Sequence, residues 1–533
     1  LFWLYHPRVL EAATPRPPAT PCAAPGSNPR WSLAVAILGS TMAFVDGTVV
    51  NIALPVMQRE LGATVDDMQW VVEAYSLLLA ALVLLGGALG DRLGRRSVFV
   101  AGVAVFSFAS AACALAPRPA WLIALRAVQG IGAAMLVPGS LALIGAAYRG
   151  DARGKAIGTW SAATSIAAAA GPVLGGWLVA HASWRWLFAL NVPLGIVVAT
   201  LSTRYVAETR DTEAAAAIDV AGALLATLGL GAITWALLEA PARGGLGALP
   251  ILSVLFAGCV SLIAFVAVES RVAEPMMPLT LFRSRVFAAA NLATLFLYAA
   301  LGGCLFFLPF NLIEVQGYSP PGAGAALLPF IALVSALSRW SGTLAERRGA
   351  RLPLVVGPLV SAVGFALLAV PSKGGAYWST FFPGIVVLGV GMGITVAPLT
   401  TAVMGSVEAR HTGVASGINN AVARAAGLLA IAGLGVVLQA QFNRSLDARL
   451  ASLNLSGRVR ASLDGQRAKL AAAVLPTALD AQTRDAIEGA LDASFVDGFR
   501  ALMVTGAGLA AFAAAASFIL MSDGRARRRG HGS

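Results

Sequence analysis

One acidic side chain in this sequence lies inside an apolar run and away from its ends: Asp46. An ionised carboxylate in hydrocarbon is costly, so Asp46 must face a cavity, pair with a cation, or take up a proton. Burial favours the neutral acid and a nearby positive charge favours the carboxylate. A group held between those two pulls can load and release a proton. The other reading is a carboxylate permanently satisfied by hydroxyls and backbone. Arg126 is the natural cation. Asp46 lies past the midpoint of an outward-running segment, and Arg126 lies near the outer end of an inward-running one. At about 1.5 Å per residue their depths differ by about 5–8 Å. A long arginine side chain or one bridging water spans that gap, unless Arg126 snorkels to the surface instead. Proton coupling by Asp46 and Arg126 is the chemistry this pairing suggests.

Other polar groups sit in or beside apolar runs: Asn51, Gln129, Asn311, Asn419 and Asn420. Tyr75, Trp160 and Phe310 offer aromatic faces, which attract cations. These residues are candidates for a substrate cavity, although polar side chains also tie helices together. Arg424, beside Asn419 and Asn420, would either answer an anionic substrate or repeat the role of Arg126. No phosphate-binding loop of the G-x-x-x-x-G-K-[ST] type is present. The four histidines are scattered, and the four cysteines (Cys22, Cys113, Cys259, Cys304) have no paired spacing. No metal or organic cofactor is expected; the energy source would be a proton gradient.

The elements that must position these residues are read from composition. Of 533 residues, 58% are hydrophobic and 12% charged, too few charges to clothe a soluble globule of this length. A spanning helix needs about 20 apolar residues. Fourteen such runs fall near 32–55, 71–90, 97–116, 121–147, 156–180, 187–206, 219–239, 249–268, 286–310, 322–345, 353–370, 380–404, 413–438 and 499–521. An all-α integral membrane protein follows, since lipid leaves no partner for an open sheet edge. With the N-terminus inside, short inner loops hold fifteen Lys and Arg and short outer loops five. That asymmetry places both termini in the cytoplasm. Ten of the twelve net positive charges fall on cytoplasmic segments, so the basic balance marks topology and not nucleic acid. Residues 1–31 are expected to be a mobile cytoplasmic tail, and 522–533 a basic one. The long outer loop 440–497 is expected to form a partly helical cap.

Gly87-Ala-Leu-Gly-Asp91-Arg92-Leu-Gly94-Arg95-Arg96 follows the second run, and Gly342-Thr-Leu-Ala-Glu346-Arg347-Arg-Gly349-Ala-Arg351 follows the tenth. The two match in register, which predicts two homologous six-helix halves with runs seven and eight inserted between them. Paired bundles rocking about a central site are a recurrent transporter plan.

The Gly87–Arg96 stretch resembles the signature loop of the major facilitator superfamily. The chain from about 32 to 521 resembles that superfamily's fourteen-span drug:proton antiporters. The marks are Asp46-Gly-Thr-Val-Val-Asn51-Ile-Ala-Leu-Pro55, Trp70-Val-Val-Glu-Ala-Tyr75, Arg126-Ala-Val-Gln129-Gly130, Gly171-Pro172-Val-Leu-Gly175-Gly176, and Trp184-Arg-Trp-x-Phe188-x-x-Asn191-x-Pro193. Departures are Glu73, where a neutral residue is common, and Glu314-Val-Gln316. The resemblance implies a major facilitator fold: an N-terminal bundle (32–206), two inserted helices with linkers (207–285), and a C-terminal bundle (286–521). It implies proton-driven export of small hydrophobic or cationic molecules across the inner (cytoplasmic) membrane by alternating access. It makes Gly87, Asp91, Arg92, Gly94, Arg95 and Arg96 an inner gate, with Asp91 facing arginines and the start of the thirteenth span near Gly413. It makes Gly171, Pro172, Gly175 and Gly176 a hinge or outer seal. The expected partners are a small-molecule substrate, protons and the bilayer. A monomer is expected, with a periplasmic adaptor if the cell is Gram-negative. A symporter or uniporter on the same fold is the alternative. A membrane sensor or enzyme would require a catalytic cluster or soluble domain, and the sequence contains neither.

Overall fold

A computed structural model describes residues 28–148, 150–210, 219–240, 243, 245–272, 275–408, 412–453, 455–473, 475 and 479–521. The expected tails, except for residues 28–31, lie outside these described residues. Helix is the only regular structure among them. In an apolar surrounding a helix satisfies its backbone internally. Its ends still need partners, and side chains supply several. Asn28 accepts from the Arg30 amide at 3.0 Å. Thr64 and Asp67 form a reciprocal capping box, with bonds of 3.1 and 2.8 Å. Asp219 accepts from the Gly222 amide at 2.7 Å.

The first bundle comprises α1 (Pro29–Leu61), α2 (Val65–Leu93), α3 (Arg95–Ala114), α4 (Pro119–Ala147), α5 (Gly150–His181), and the short α6 (Arg185–Ala189) continuing into α7 (Asn191–Tyr205). Next come α8 (Val220–Glu239) and α9 (Leu249–Glu269). The second bundle comprises α10 (Arg285–Phe310), α11 (Pro320–Ala326) with α12 (Leu328–Arg348), α13 (Arg351–Leu368), α14 (Phe381–Gly405) and α15 (Thr412–Ala451). It closes with α17 (Ala481–Leu520), after the short α16 (Gly457–Asp464). Among the described residues thirteen helical stretches are long and apolar enough to cross a membrane. A fourteenth is α2, bent by 52° between Val83 and Leu85. The fourteen apolar runs of the sequence correspond to these segments one for one.

One end of the molecule carries the arginine-rich turns between α2 and α3 and between α12 and α13; we call it the arginine-rich end. The bundles meet along two seams nearer the opposite end, α2 against α15 and α5 against α11. The inserted α8 lies against both α2 and α15, and so covers the first seam from the side.

The segment 440–497, expected as a partly helical cap, contains helix over much of its length. The two flanking helices run on into it, α15 to Ala451 and α17 from Ala481, with the short α16 between them. Hydropathy marks where a chain leaves lipid, not where its helix ends. Leu446, Leu450, Ile487 and Leu491 are buried on facing sides of these extensions. Arg449 pairs with Asp497 across them at 2.7 Å.

Candidate functional site

Asp46 and Arg126 form an ion pair with side-chain exposures of 0% and 1%. The Asp46 carboxylate binds the Arg126 guanidinium through Oδ2. Its Oδ1 accepts from the Gln129 amide at 2.9 Å and from the Asn191 amide at 3.3 Å. Gln129 also accepts from Arg126 at 2.7 Å and donates to the Ser110 hydroxyl at 2.8 Å. Arg126 Nε donates to the Val71 carbonyl at 2.9 Å, and its guanidinium stacks over the Tyr75 ring at 4.3 Å. Five helices therefore converge on one carboxylate: α1, α2, α3, α4 and α7. A buried pair survives in an apolar surrounding only when its remaining lone pairs and protons are bonded, and here the network supplies those bonds.

This arrangement relocates two residues expected at the substrate cavity. Gln129 lies three residues after Arg126, so a helix puts both on one face and the amide reaches the carboxylate. Tyr75 is buried, and its hydroxyl donates to the Ala43 carbonyl at 3.2 Å. Ser110 and Asn191 complete the network. Asn191 stood in the sequence only as a mark of the family resemblance and Ser110 not at all, since their partner lies on another helix.

A cavity of about 990 Å³ opens between the bundles, one turn further along α1. Thr48 and Asn51 of α1 line it, with Phe330, Ser335 and Ser338 of α12 and Thr400 of α14. Of the remaining expected cavity residues, none lines it. Phe310 is buried against Phe306 and Phe307 behind the cavity-lining Pro309. Trp160 donates to the Ser40 hydroxyl at 3.0 Å. Asn311 opens a π-helical turn and accepts from the Gln316 amide at 3.3 Å. Asn419 ties α15 to α10 through Thr294 at 2.7 Å and Asn291 at 3.2 Å. Asn420 is exposed and bonds the Ser416 carbonyl of its own helix. Arg424 is half-buried on α15, in electrostatic reach of Tyr75.

The cavity is closed at the end opposite the arginines. A Cβ placed on Gly176 would fall 2.4 Å from the Pro320 carbonyl oxygen, and one on Gly324 would fall 2.3 Å from that of Pro172. Two helices that close leave no room for side chains at their crossing. Gly171 and Gly175 serve a different contact, against Thr48 and Val49 of α1 within the first bundle. Arg59 and Glu314 pair between α1 and the turn after α10 at 3.5 Å, adding a charged contact between the bundles.

At the arginine-rich end, Gly94 takes φ 123° and Gly349 takes φ 88°, so the repeated glycine turns the chain in both halves. Their amides bond the carbonyls of Gly90 and Ala345 at 3.1 and 2.9 Å. Gly87 faces Pro138 of α4. Asp91 pairs with an arginine, Arg95 of its own turn, at 2.7 Å, while residues 409–411 before α15 lie outside the described residues. Arg92 is exposed. Arg96 belongs to a contact that sequence reading missed. Glu208, beyond α7, accepts from the Arg96 and Ser97 amides at 3.0 Å each and from the Ser97 hydroxyl. Burial alone would raise the Glu208 carboxyl, but these donors and the Arg96 charge hold it below the ordinary glutamate range. A carboxylate on free helix-start amides is a recurrent arrangement. Nothing in the spacing of 206–209 announces it.

The sequence profile described as Major Facilitator Superfamily matches residues 36–431. The chain is 36% identical over 414 residues to the multidrug resistance protein Stp of Mycobacterium tuberculosis, covering 78% of this chain and 76% of that one. It is 33% identical over 503 residues to the tetracenomycin C resistance and export protein of Streptomyces glaucescens, covering 93% and 92%. It is 34% identical to the puromycin resistance protein of Streptomyces alboniger, covering 79% and 84%. Among solved structures, a bacterial homolog of the human lysosomal transporter Spinster superposes with a TM-score of 0.63 at 17% identity, covering 93% and 97%.

Proposed function

Because the chain belongs to the Major Facilitator Superfamily, we propose that it exports small hydrophobic or cationic compounds, drugs or antibiotics among them, by proton antiport. The names of its relatives support drug export as the direction and cargo class. The observation that carries the coupling is the Asp46 carboxylate, buried on α1 one turn from the cavity-lining Thr48 and Asn51.

The cavity wall is hydrocarbon interrupted by hydroxyls and one amide, which suits apolar cargo with a few polar groups. Arg126 supplies the counter-charge to the Asp46 carboxylate while the network is intact. When rocking of the bundles lengthens that contact, the carboxylate loses its counter-charge and takes a proton. Return of the guanidinium expels it. The arginine-rich end faces the cytoplasm in this reading, following the excess of Lys and Arg there. The cavity then loads from inside while the Gly176–Pro320 contact seals the outside. The test is substrate transport in sealed vesicles under an imposed proton gradient. Asp46→Asn should abolish gradient-driven movement; gradient-driven transport at the native rate by this variant would overturn the reading.

A further inference from the structure

A second acid lies where the two bundles meet. Glu73, on α2, is 0% exposed. Its carboxyl faces the Ala432 peptide of α15. Among the described residues neither of its oxygens has a hydrogen-bond partner of ordinary geometry. One turn away on the same face, the Gln69 amide donates to the Ile431 carbonyl at 2.8 Å. A Cβ on Gly435 would fall 2.3 Å from that amide nitrogen, so α15 is flat here. Gln69 and Glu73 therefore share the α2–α15 seam, which α8 covers.

The charged and titratable groups on the surrounding helices are directed elsewhere. Asp66 and Asp67 lie two turns away on α2, toward the end opposite the arginines, and Tyr75 stacks on Arg126. Arg126 of α4 is committed to Asp46 and Val71. Arg424 lies two turns from Ala432 on α15, toward the arginine-rich end. Glu239 ends α8 and pairs with Arg243 at 2.8 Å. Arg467, in the turn that packs near this end of α2, pairs with Asp447 and Asp464. The Lys469 carbonyl of that turn accepts from Gln58. None of them makes an ion pair with Glu73 among the described residues.

An ion in this seam would lose its hydration and gain no counter-charge. The neutral acid carries no such cost. We infer that Glu73 is a second proton-binding site, distinct from Asp46, whose protonation holds the α2–α15 seam shut. When the bundles part on that side, the carboxyl meets water, which solvates the charged form and lets it ionise. Its ionisation then opposes closure. Its proton enters and leaves on the side where the seam opens, so it is a sensor of pH there and not a transported proton. The sign follows from linkage: the closed state binds one more proton than the open state. The closed-to-open ratio therefore falls as pH rises, by at most about tenfold per pH unit.

The inference does not depend on the antiport reading, because its readout is a distance and not transport. Spin labels placed by Arg118→Cys and Ser379→Cys, one on each bundle at the end opposite the arginines, report the gap in lipid nanodiscs from pH 5 to pH 8. The native cysteines are replaced, and Asp46→Asn is present throughout to remove that proton. The population of long distances should rise with pH, by at most about tenfold per unit in the open-to-closed ratio. Adding Glu73→Gln should hold the short distance at every pH. Glu73→Met, a second uncharged side chain of similar length, should do the same, and Glu73→Asp should keep the response. An unchanged pH response in both neutral variants would overturn the inference, as would a pH-independent gap with Glu73 intact.

Discussion

The guanidinium of Arg126 and the carboxylate of Asp46 are in direct contact although 80 residues separate them, and water reaches neither. Removing one partner leaves the other buried and uncompensated. Arg126→Ala should therefore cost about 3–5 kcal/mol of stability, read as a fall in detergent unfolding temperature. Asp46→Asn should cost less, since an amide still bonds Gln129 and Asn191. The double variant Asp46→Asn with Arg126→Met should recover part of the stability and none of the gradient-driven transport. Full additivity of the two single costs would contradict the pairing.

Gly175 and Gly176 are adjacent but should fail in different ways. A methyl on Gly176 presses on Pro320 of the other bundle, whereas one on Gly175 presses on Val49 of its own. Overpacking of this kind costs about 1–3 kcal/mol. Gly176→Ala should charge that cost to the closed state alone, shifting the population toward separation by tenfold or so. A pair of spin labels across the α5–α11 seam would report it. Gly175→Ala should lower the unfolding temperature and leave the distance distribution unchanged.

The two repeated glycines give a graded comparison. Gly349 has φ 88° with open space around a built Cβ. Gly94 has φ 123°, and a Cβ there would sit 2.7 Å from the Glu208 carboxyl. Alanine at Gly349 should incur only the backbone penalty of about 1–3 kcal/mol. Alanine at Gly94 should incur more, because Glu208 must also be displaced. Equal losses of unfolding temperature would mean that the Glu208 contact contributes nothing.

Glu208 itself gives a pH signature. Its carboxyl is held low in the folded chain, so its contribution is fully present above the ordinary glutamate value of about 4.3 and is lost as pH falls through the lower folded value. Hydrogen exchange at the Arg96 and Ser97 amides should accelerate in that acid window. Glu208→Gln should show the faster exchange already at pH 7, and a pH-independent difference between the two proteins would refute the assignment.

Much of this architecture was legible because lipid restricts the chain so severely. Apolar length located every span, and helix rise put Asp46 and Arg126 within reach before any contact was known. The repeat at Gly87 and Gly342 marked two turns that share a glycine of positive φ. What stayed hidden depends on contacts between distant segments. Gln129 and Tyr75 read as cavity residues because a polar or aromatic group inside a span looks the same whether it faces cargo or a buried ion. Glu208 and Asn191 acquire meaning only when their partners arrive from other helices. Glu73 stood out as an unusual acid, and only the α2–α15 packing explained where it is.

The 40-residue helices α15 and α17 each measure about 60 Å, twice the thickness of a hydrocarbon layer. Arg449, Ser445 and Asp497 clamp them together beyond the apolar zone. They make a stiff lever fixed to the second bundle. Any small tilt of that bundle sweeps the lever's tip through a larger arc than anything inside the membrane travels.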